Sequence, residues 1–143
     1  MVQFIHSPRL FKVFEFFNLS HVAITLGPLV LTKYLQVADT LRRHEIEHVK
    51  QWLEVTVVAL AIYCAIWHFI GQFPGWGWLV AAAFSFYLYY ASFHLMNMLV
   101  YDMTWDEAYD ANPFEIMATK AEDEGYKRKL FNWMSVPDPK DED

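Results

Sequence analysis

A run of 47 residues without one charged side chain, Val55 to Tyr101, constrains this chain more than any other feature. Glu54 and Asp102 bound the run, so every Asp, Glu, Lys and Arg, 20% of the 143 residues, lies outside it. A soluble domain of this size leaves roughly 30–40% of its extended-chain surface in contact with water. Such a domain has difficulty hiding so long an uncharged run, which favours a membrane or a large assembly as its surroundings.

The segment Gly71–Gly77, rich in Gly and Pro, divides the uncharged run into two helical candidates. Trp78–Val100 is long enough to cross a bilayer, which takes about 20 apolar residues. Val55–Ile70 is shorter, but Trp52 and Leu53 extend it. We therefore expect an apolar helical hairpin over residues 55–101, embedded in a membrane. The alternative is a pair of core helices buried in an oligomer or a larger assembly.

Charged residues on either side of the hairpin predict its orientation. Lys and Arg lie before the hairpin at 33, 42, 43 and 50 and after it at 120 and 127–129, whereas the hairpin tip carries no charge. Because Lys and Arg are enriched in cytoplasmic segments, we expect both termini on the cytoplasmic side of the membrane.

Composition excludes several other classes. Hydrophobic residues make up 55% of the chain, which is incompatible with disorder. A net charge of −6 argues against nucleic acid as a partner. The single cysteine, Cys64, excludes an internal disulfide framework and a cysteine-based zinc site. The length favours one domain over residues 1–143, with 135–143 as an acidic tail.

Away from the hairpin, the pattern is mainly helical with a small β element. Residues 1–19 predict a short amphipathic helix. Residues 21–32 are rich in β-branched and aliphatic side chains and are interrupted by Gly27-Pro28, which predicts two short strands or one bent edge strand. The predicted fold class is thus mainly α with a small N-terminal edge strand or β-hairpin.

Three helix starts are readable after this β element. Asp39 or Thr40 can cap a long helix that nothing interrupts before Gly71. Thr104 to Glu107 forms a capping box for a short helix. Asn112-Pro113 opens another, which could extend to Asn132.

The polar beginning of the long helix carries His44-Glu45-Ile46-Glu47-His48, an H-E-x-x-H motif. Residues four apart lie one above the other on a helix, so both imidazoles can bind one Zn²⁺ at roughly 2.0–2.1 Å. Glu45 is rotated by about 100° from His44 around the helix axis, so it can lean over the metal without binding it and hold the water that the metal acidifies. These residues predict a zinc site with Glu45 as general base.

A catalytic zinc needs a third protein ligand. His68 lies 20 residues beyond His48, about 30 Å along one continuous helix, and is excluded as the third ligand. His94 lies inside the apolar second helix, which likewise places it deep in the hairpin and away from the motif. The helix that begins at Pro113 offers Glu115 in its first turn and Glu122 two turns later. Glu115 has an alternative role as the glutamate of a capping box with Asn112. Sequence position alone leaves Glu115 and Glu122 open as the third ligand, together with the other downstream carboxylates, Glu107 and Asp123.

Three segments resemble small gluzincin-type zinc metallopeptidases, whose third ligand is a glutamate on a later helix. His44–Gln51 resembles their H-E-x-x-H-x-x-Q segment, Ile24–Leu31 their edge strand, and Glu107–Ala118 their A-Y-x-x-N-P-x-E-x-x-A segment. The resemblance implies a minimal zincin-like fold and makes His44, His48 and Glu115 the metal ligands, with Glu45 as general base and acid. The uncharged hairpin departs from the compact members, which are more polar there.

These observations predict a zinc metallopeptidase that cleaves peptide or protein substrates near a membrane, with the active site on the cytoplasmic side. An extended substrate would pair along Thr25–Leu31 by strand addition. Tyr109 is the first candidate and Tyr101 the second for the donor that stabilises the oxyanion. Asp110 is a candidate for orienting a ligand histidine.

Two other functions stay open. A zincin-like chain can keep its fold and its zinc as a non-catalytic structural component of a membrane or protein assembly. Glu45-x-x-His48 is also half of the pattern of a carboxylate-bridged di-iron oxidoreductase, but the chain has no second Glu-x-x-His.

Overall fold

The computed structural model describes residues 2–16, 23–71, 75–126 and 130–131. These residues are mainly helical with one small sheet, as the sequence predicted. The strands are β1 (Gln3–His6), β2 (Ala23–Leu26) and β3 (Leu29–Thr32). The helices are α1 (Pro8–Phe16), α2 (Asp39–Ile70), α3 (Gly77–Val100), α4 (Trp105–Asp110) and α5 (Pro113–Lys120).

The chain forms two compact units, whose boundaries fall inside helices. Residues 1–50 and 118–126 form the first unit, and residues 51–117 and 127–143 form the second. The boundaries lie between Lys50 and Gln51 in α2 and between Met117 and Ala118 in α5. The expectation of a single domain stays a prediction.

The sheet of the first unit has the strand order β1-β3-β2. The predicted β element is a hairpin: β2 and β3 are antiparallel, with Leu26 opposite Leu29 across the turn Gly27-Pro28. Gly27 has φ 61°, and proline fixes φ near −65°, which together fit a type II′ turn. Strand β1 was not expected; it pairs in parallel with β3, and the helix predicted for residues 1–19 begins only at Pro8.

Helix α2 is one element of 32 residues, about 48 Å long. It contains no Gly or Pro, which is why the polar H-E-x-x-H turn and the apolar run share one helix. It ends before Gly71, whose φ of 72° is a left-handed conformation that favours glycine. The predicted extent of this helix is confirmed.

In the second unit, α3 packs against the apolar part of α2. Trp52 Nε1 donates to the Ala83 carbonyl at 2.8 Å, and the Tyr63 and Trp78 rings meet edge to face at 4.4 Å. Val55, Phe86 and Phe114 form the buried cluster of this unit. Both α2 and α3 are long and apolar enough to cross a membrane.

The two short helices begin where the sequence predicts. Thr104 and Glu107 make the reciprocal capping box of α4. Helix α5 begins at Pro113 but ends at Lys120, well before the expected Asn132, which lies outside the described residues. Turns follow immediately, and Arg43 Nε donates to the Glu122 carbonyl at 2.9 Å, so this backbone group bonds to α2 instead of continuing a helix.

Candidate metal centre

The two motif histidines face each other on α2 in the first unit. Their Nε2 atoms lie 3.1 Å apart, and their rings meet nearly perpendicularly with centroids 4.8 Å apart. His48 is buried and His44 half-buried. This pairing follows from the spacing of four residues, which places side chains on one face of a helix.

The distance between the two nitrogens fits shared metal coordination. Two nitrogens bound to one Zn²⁺ at about 2.0–2.1 Å in a tetrahedral arrangement lie about 3.3–3.4 Å apart, slightly more than the 3.1 Å between His44 and His48 Nε2. A direct N–H···N hydrogen bond between the rings has a similar length. Neutral imidazole is a common ligand of Zn²⁺ and equally of copper, nickel and iron ions, so the pair could hold a transition-metal ion.

Glu122 contacts the other nitrogen of His44. Its Oε1 atom lies 3.0 Å from His44 Nδ1, and the Arg43 contact holds the backbone of the same residue. In the tautomer that donates from Nδ1 to Glu122, a neutral His44 ring keeps its lone pair on Nε2. Nε2 then presents its lone pair towards His48. Glu122 thus occupies the position of an orienting carboxylate, the role for which the sequence suggested Asp110.

Glu45, the predicted general base, is held by the sheet. It is 5% exposed, and its Oε2 accepts a hydrogen bond of 2.6 Å from the Thr25 hydroxyl on β2. The sequence predicted a strand at Thr25 but gave no signal for this contact. The first unit therefore brings together His44, His48, Glu45, Glu122 and Thr25.

Glu115 lies in the first turn of α5, in the second unit, and is 4% exposed. The Tyr90 hydroxyl of α3 donates to its Oε1 at 2.7 Å. Asn112 fixes the start of the same helix: its Oδ1 accepts from the Phe114 N–H at 3.1 Å, and its Nδ2 donates to the Tyr90 carbonyl at 3.2 Å. Sequence reasoning found Glu115 but missed Tyr90, which sits in the apolar helix among other aromatics.

Gln51, three residues after His48, also contacts the start of α5. Its side chain is fully buried and donates to the Phe114 carbonyl at 3.0 Å. The amide therefore joins α2 to the residue that precedes Glu115. The sequence singled out Gln51 only through the H-E-x-x-H-x-x-Q resemblance.

The remaining candidates are scattered. Tyr109 is half-buried on α4, and Tyr101 follows α3 and is 61% exposed. Asp110 is exposed at the end of α4. His68 is exposed near the end of α2, far along the helix from the motif. His94 is buried on α3, and the centroid of its ring lies 4.2 Å from that of Trp105.

Comparison with known proteins gives no family for this chain. No family model matches it, and neither the curated proteins nor the solved structures compared with it give a match. The likeness to gluzincins therefore rests on the motif residues themselves.

Proposed function

We propose that the chain is a zinc-dependent metallopeptidase anchored in a membrane by its helical hairpin. The observation that carries this proposal is the His44–His48 pair, with Nε2 atoms 3.1 Å apart and the buried Glu45 next to His44 in sequence. The contact between Glu122 and His44 Nδ1 supports the proposal, because a ligand histidine commonly donates its other ring N–H to a carboxylate.

Glu115 is the proposed third ligand. His44, His48 and Glu115 each offer one ligand atom, a ring nitrogen from each histidine and a carboxylate oxygen from the glutamate. Two contacts described above support this choice. Gln51 follows His48 by less than one turn of α2 and bonds to Phe114, the residue before Glu115. Tyr90 fixes one oxygen of the Glu115 carboxylate.

The residues of the chain divide the proposed reaction between them. When bound, Zn²⁺ polarises the scissile carbonyl and acidifies a water molecule. Glu45 accepts the proton of that water and returns it to the leaving amine, as a carboxylate beside the reacting atoms can do. Tyr109 stays the proposed donor to the developing oxyanion, with Tyr101 as the alternative.

Strand β2 is the proposed binding edge for a peptide or protein substrate. The expectation that the edge extends over Thr25–Leu31 is wrong for its second half, because β3 is the central strand and pairs on both sides. No strand among the described residues pairs with its outer edge, since the sheet order is β1-β3-β2. An extended substrate that adds to this edge gains main-chain hydrogen bonds with little side-chain selectivity.

The exposure of the hairpin supports membrane insertion. Only 11% of the most apolar window of α2, and 17% of that of α3, is buried, whereas the core helix of a soluble protein is mostly buried. The hydroxyls of Ser85 and Ser92 donate to the carbonyls of Ala81 and Leu88, four residues earlier. Serines in membrane helices satisfy their hydroxyls in this way where water is absent. The cytoplasmic location of both termini is part of the proposal.

The test combines metal analysis with peptide hydrolysis on the full chain purified in detergent. Wild type should contain one zinc per chain and cleave a mixture of quenched fluorescent peptides. Glu45→Gln should keep the zinc and lose about 10²–10⁴-fold in rate. Glu115→Ala should lose the zinc, whereas Asp106→Asn, an exposed carboxylate of α4, should retain zinc and rate.

Each result has a distinct consequence. Unchanged zinc in Glu115→Ala removes Glu115 from the ligand set. Zinc without hydrolysis in wild type would favour the non-catalytic structural role instead of a peptidase. Loss of zinc from Glu45→Gln would make Glu45 a ligand or a structural group.

A further inference from the structure

The contact between Thr25 and Glu45 joins the proposed substrate edge to the proposed general base. The Thr25 hydroxyl donates to Glu45 Oε2 at 2.6 Å across 20 residues of sequence. It is the one side-chain hydrogen bond to Glu45 among the residues that the structure describes. A bond to one oxygen limits rotation of the carboxylate and makes its two oxygens inequivalent.

The pairing register of the β-hairpin formed by β2 and β3 sets the direction in which the Thr25 backbone groups point. Leu26 and Leu29 flank a two-residue turn and therefore form a hydrogen-bonded pair, so the next pair, Thr25 and Val30, is not hydrogen-bonded. The neighbouring contacts agree, because the Pro28 and Thr32 carbonyls accept from β1 residues and the adjoining Ser7. The N–H and C=O of Thr25 thus point away from β3, towards the outer edge of β2.

We propose that Thr25 is a positioning residue that presents Glu45 Oε1 to the reacting water and couples this to substrate pairing on β2. The inference rests on the peptidase function proposed above. The hydroxyl occupies Oε2, so Oε1 takes the proton from water and later gives it to the leaving nitrogen. A substrate strand that pairs beside Thr25 fixes the backbone from which this hydroxyl extends.

The kinetic test compares two substitutions of Thr25 with a matched control. Thr25→Val keeps the shape and removes the donor, whereas Thr25→Ser keeps the donor. Thr32→Val removes a hydroxyl from the same face of the sheet, one that donates to the Tyr34 carbonyl at 2.6 Å and not to Glu45. All are measured as the zinc-loaded full chain in detergent.

Thr25→Val should lower kcat by about 10- to 100-fold, because misplacing a reacting group by about 1 Å has an effect of this size. Zinc content and KM should stay within about twofold, and Thr25→Ser should recover most of kcat. Thr32→Val should keep kcat. An unchanged kcat in Thr25→Val, or equal losses in the valine and serine variants, would overturn the proposal.

An infrared measurement separates this inference from the proposed function. Thr25→Val should shift a carboxylate stretching band in the wild-type background but leave the spectrum of Glu45→Gln unchanged. This cycle needs no hydrolysis, so a wild type that cleaves nothing refutes the peptidase while the spectra still test the positioning of Glu45. Absence of the band shift would overturn the positioning role even in an active enzyme.

Discussion

His44 Nδ1 and Glu122 Oε1 lie 3.0 Å apart, although 78 residues separate them in sequence. Glu122 contacts one nitrogen of the His44 ring, and the other nitrogen, Nε2, faces His48 Nε2 at 3.1 Å. The contact with Glu122 links the proposed metal ligand to the turn that follows α5.

Glu122→Gln should weaken zinc binding about 10- to 100-fold, because the substitution replaces the charged acceptor behind a ligand histidine. Competition with a chelator of known affinity measures the change. Glu124→Gln is the matched control: Glu124 lies in the same turn and pairs with Arg43 at 3.6 Å, but its side chain is 87% exposed. Equal affinities for zinc in wild type and Glu122→Gln would contradict an orienting role.

Gln51→Met should destabilise the protein by about 1–3 kcal/mol, the cost of removing one partner of a buried hydrogen bond. Methionine keeps the side-chain length but cannot donate to the buried Phe114 carbonyl. Thermal unfolding in detergent, compared with Gln3→Met at an exposed strand position, measures the difference. A Gln51 variant as stable as the Gln3 variant would show that the amide adds nothing.

The capping box of α4 should make the stability of this helix depend on acid pH. Hydrogen bonds from the Thr104 side chain and backbone lower the pKa of Glu107 below its usual 4.5. A carboxyl group whose pKa is lower in the folded state stabilises that state above its unfolded pKa, and the contribution disappears as the pH falls through the folded pKa. Denaturation measured between neutral pH and about pH 3 should therefore show a smaller acid-induced loss in Glu107→Gln than in wild type. Identical pH profiles would argue against this contribution.

Cys64 provides a native probe of membrane insertion. It is exposed on α2, ten residues beyond the last charged side chain of that helix. In lipid vesicles, a membrane-impermeant maleimide should react with it far more slowly than in a denatured sample, because hydrocarbon excludes both the reagent and the thiolate. The control combines Cys64→Ser with Lys120→Cys, an exposed position at the end of α5. Rapid labelling of wild type in vesicles would contradict insertion of this part of α2.

Local features of the chain were predictable because they depend on near neighbours. The spacing of His44 and His48 needs only the helical repeat, and the capping box at Thr104 needs only four residues. The length of α2 follows from the absence of helix breakers before Gly71. The turn at Gly27-Pro28 follows likewise from the conformational preferences of two residues.

Contacts between distant segments were not predictable in the same way. Strand β1 pairs with β3, whereas the sequence predicted a helix at these residues. Helix α5 ends at Lys120, and Arg43 donates to the Glu122 carbonyl in the turn that follows. Each of these features involves a contact with a residue far along the chain, which local propensity does not encode.

The sequence by itself determined the donors, their helical spacing and the uncharged hairpin, because these are set by residue chemistry and by the period of one helix. Only the tertiary structure decided that Thr25 holds Glu45, that Glu122 stands behind His44 and that Tyr90 holds Glu115. Each of these hydrogen bonds joins separate elements, and its geometry exists only after those elements have packed.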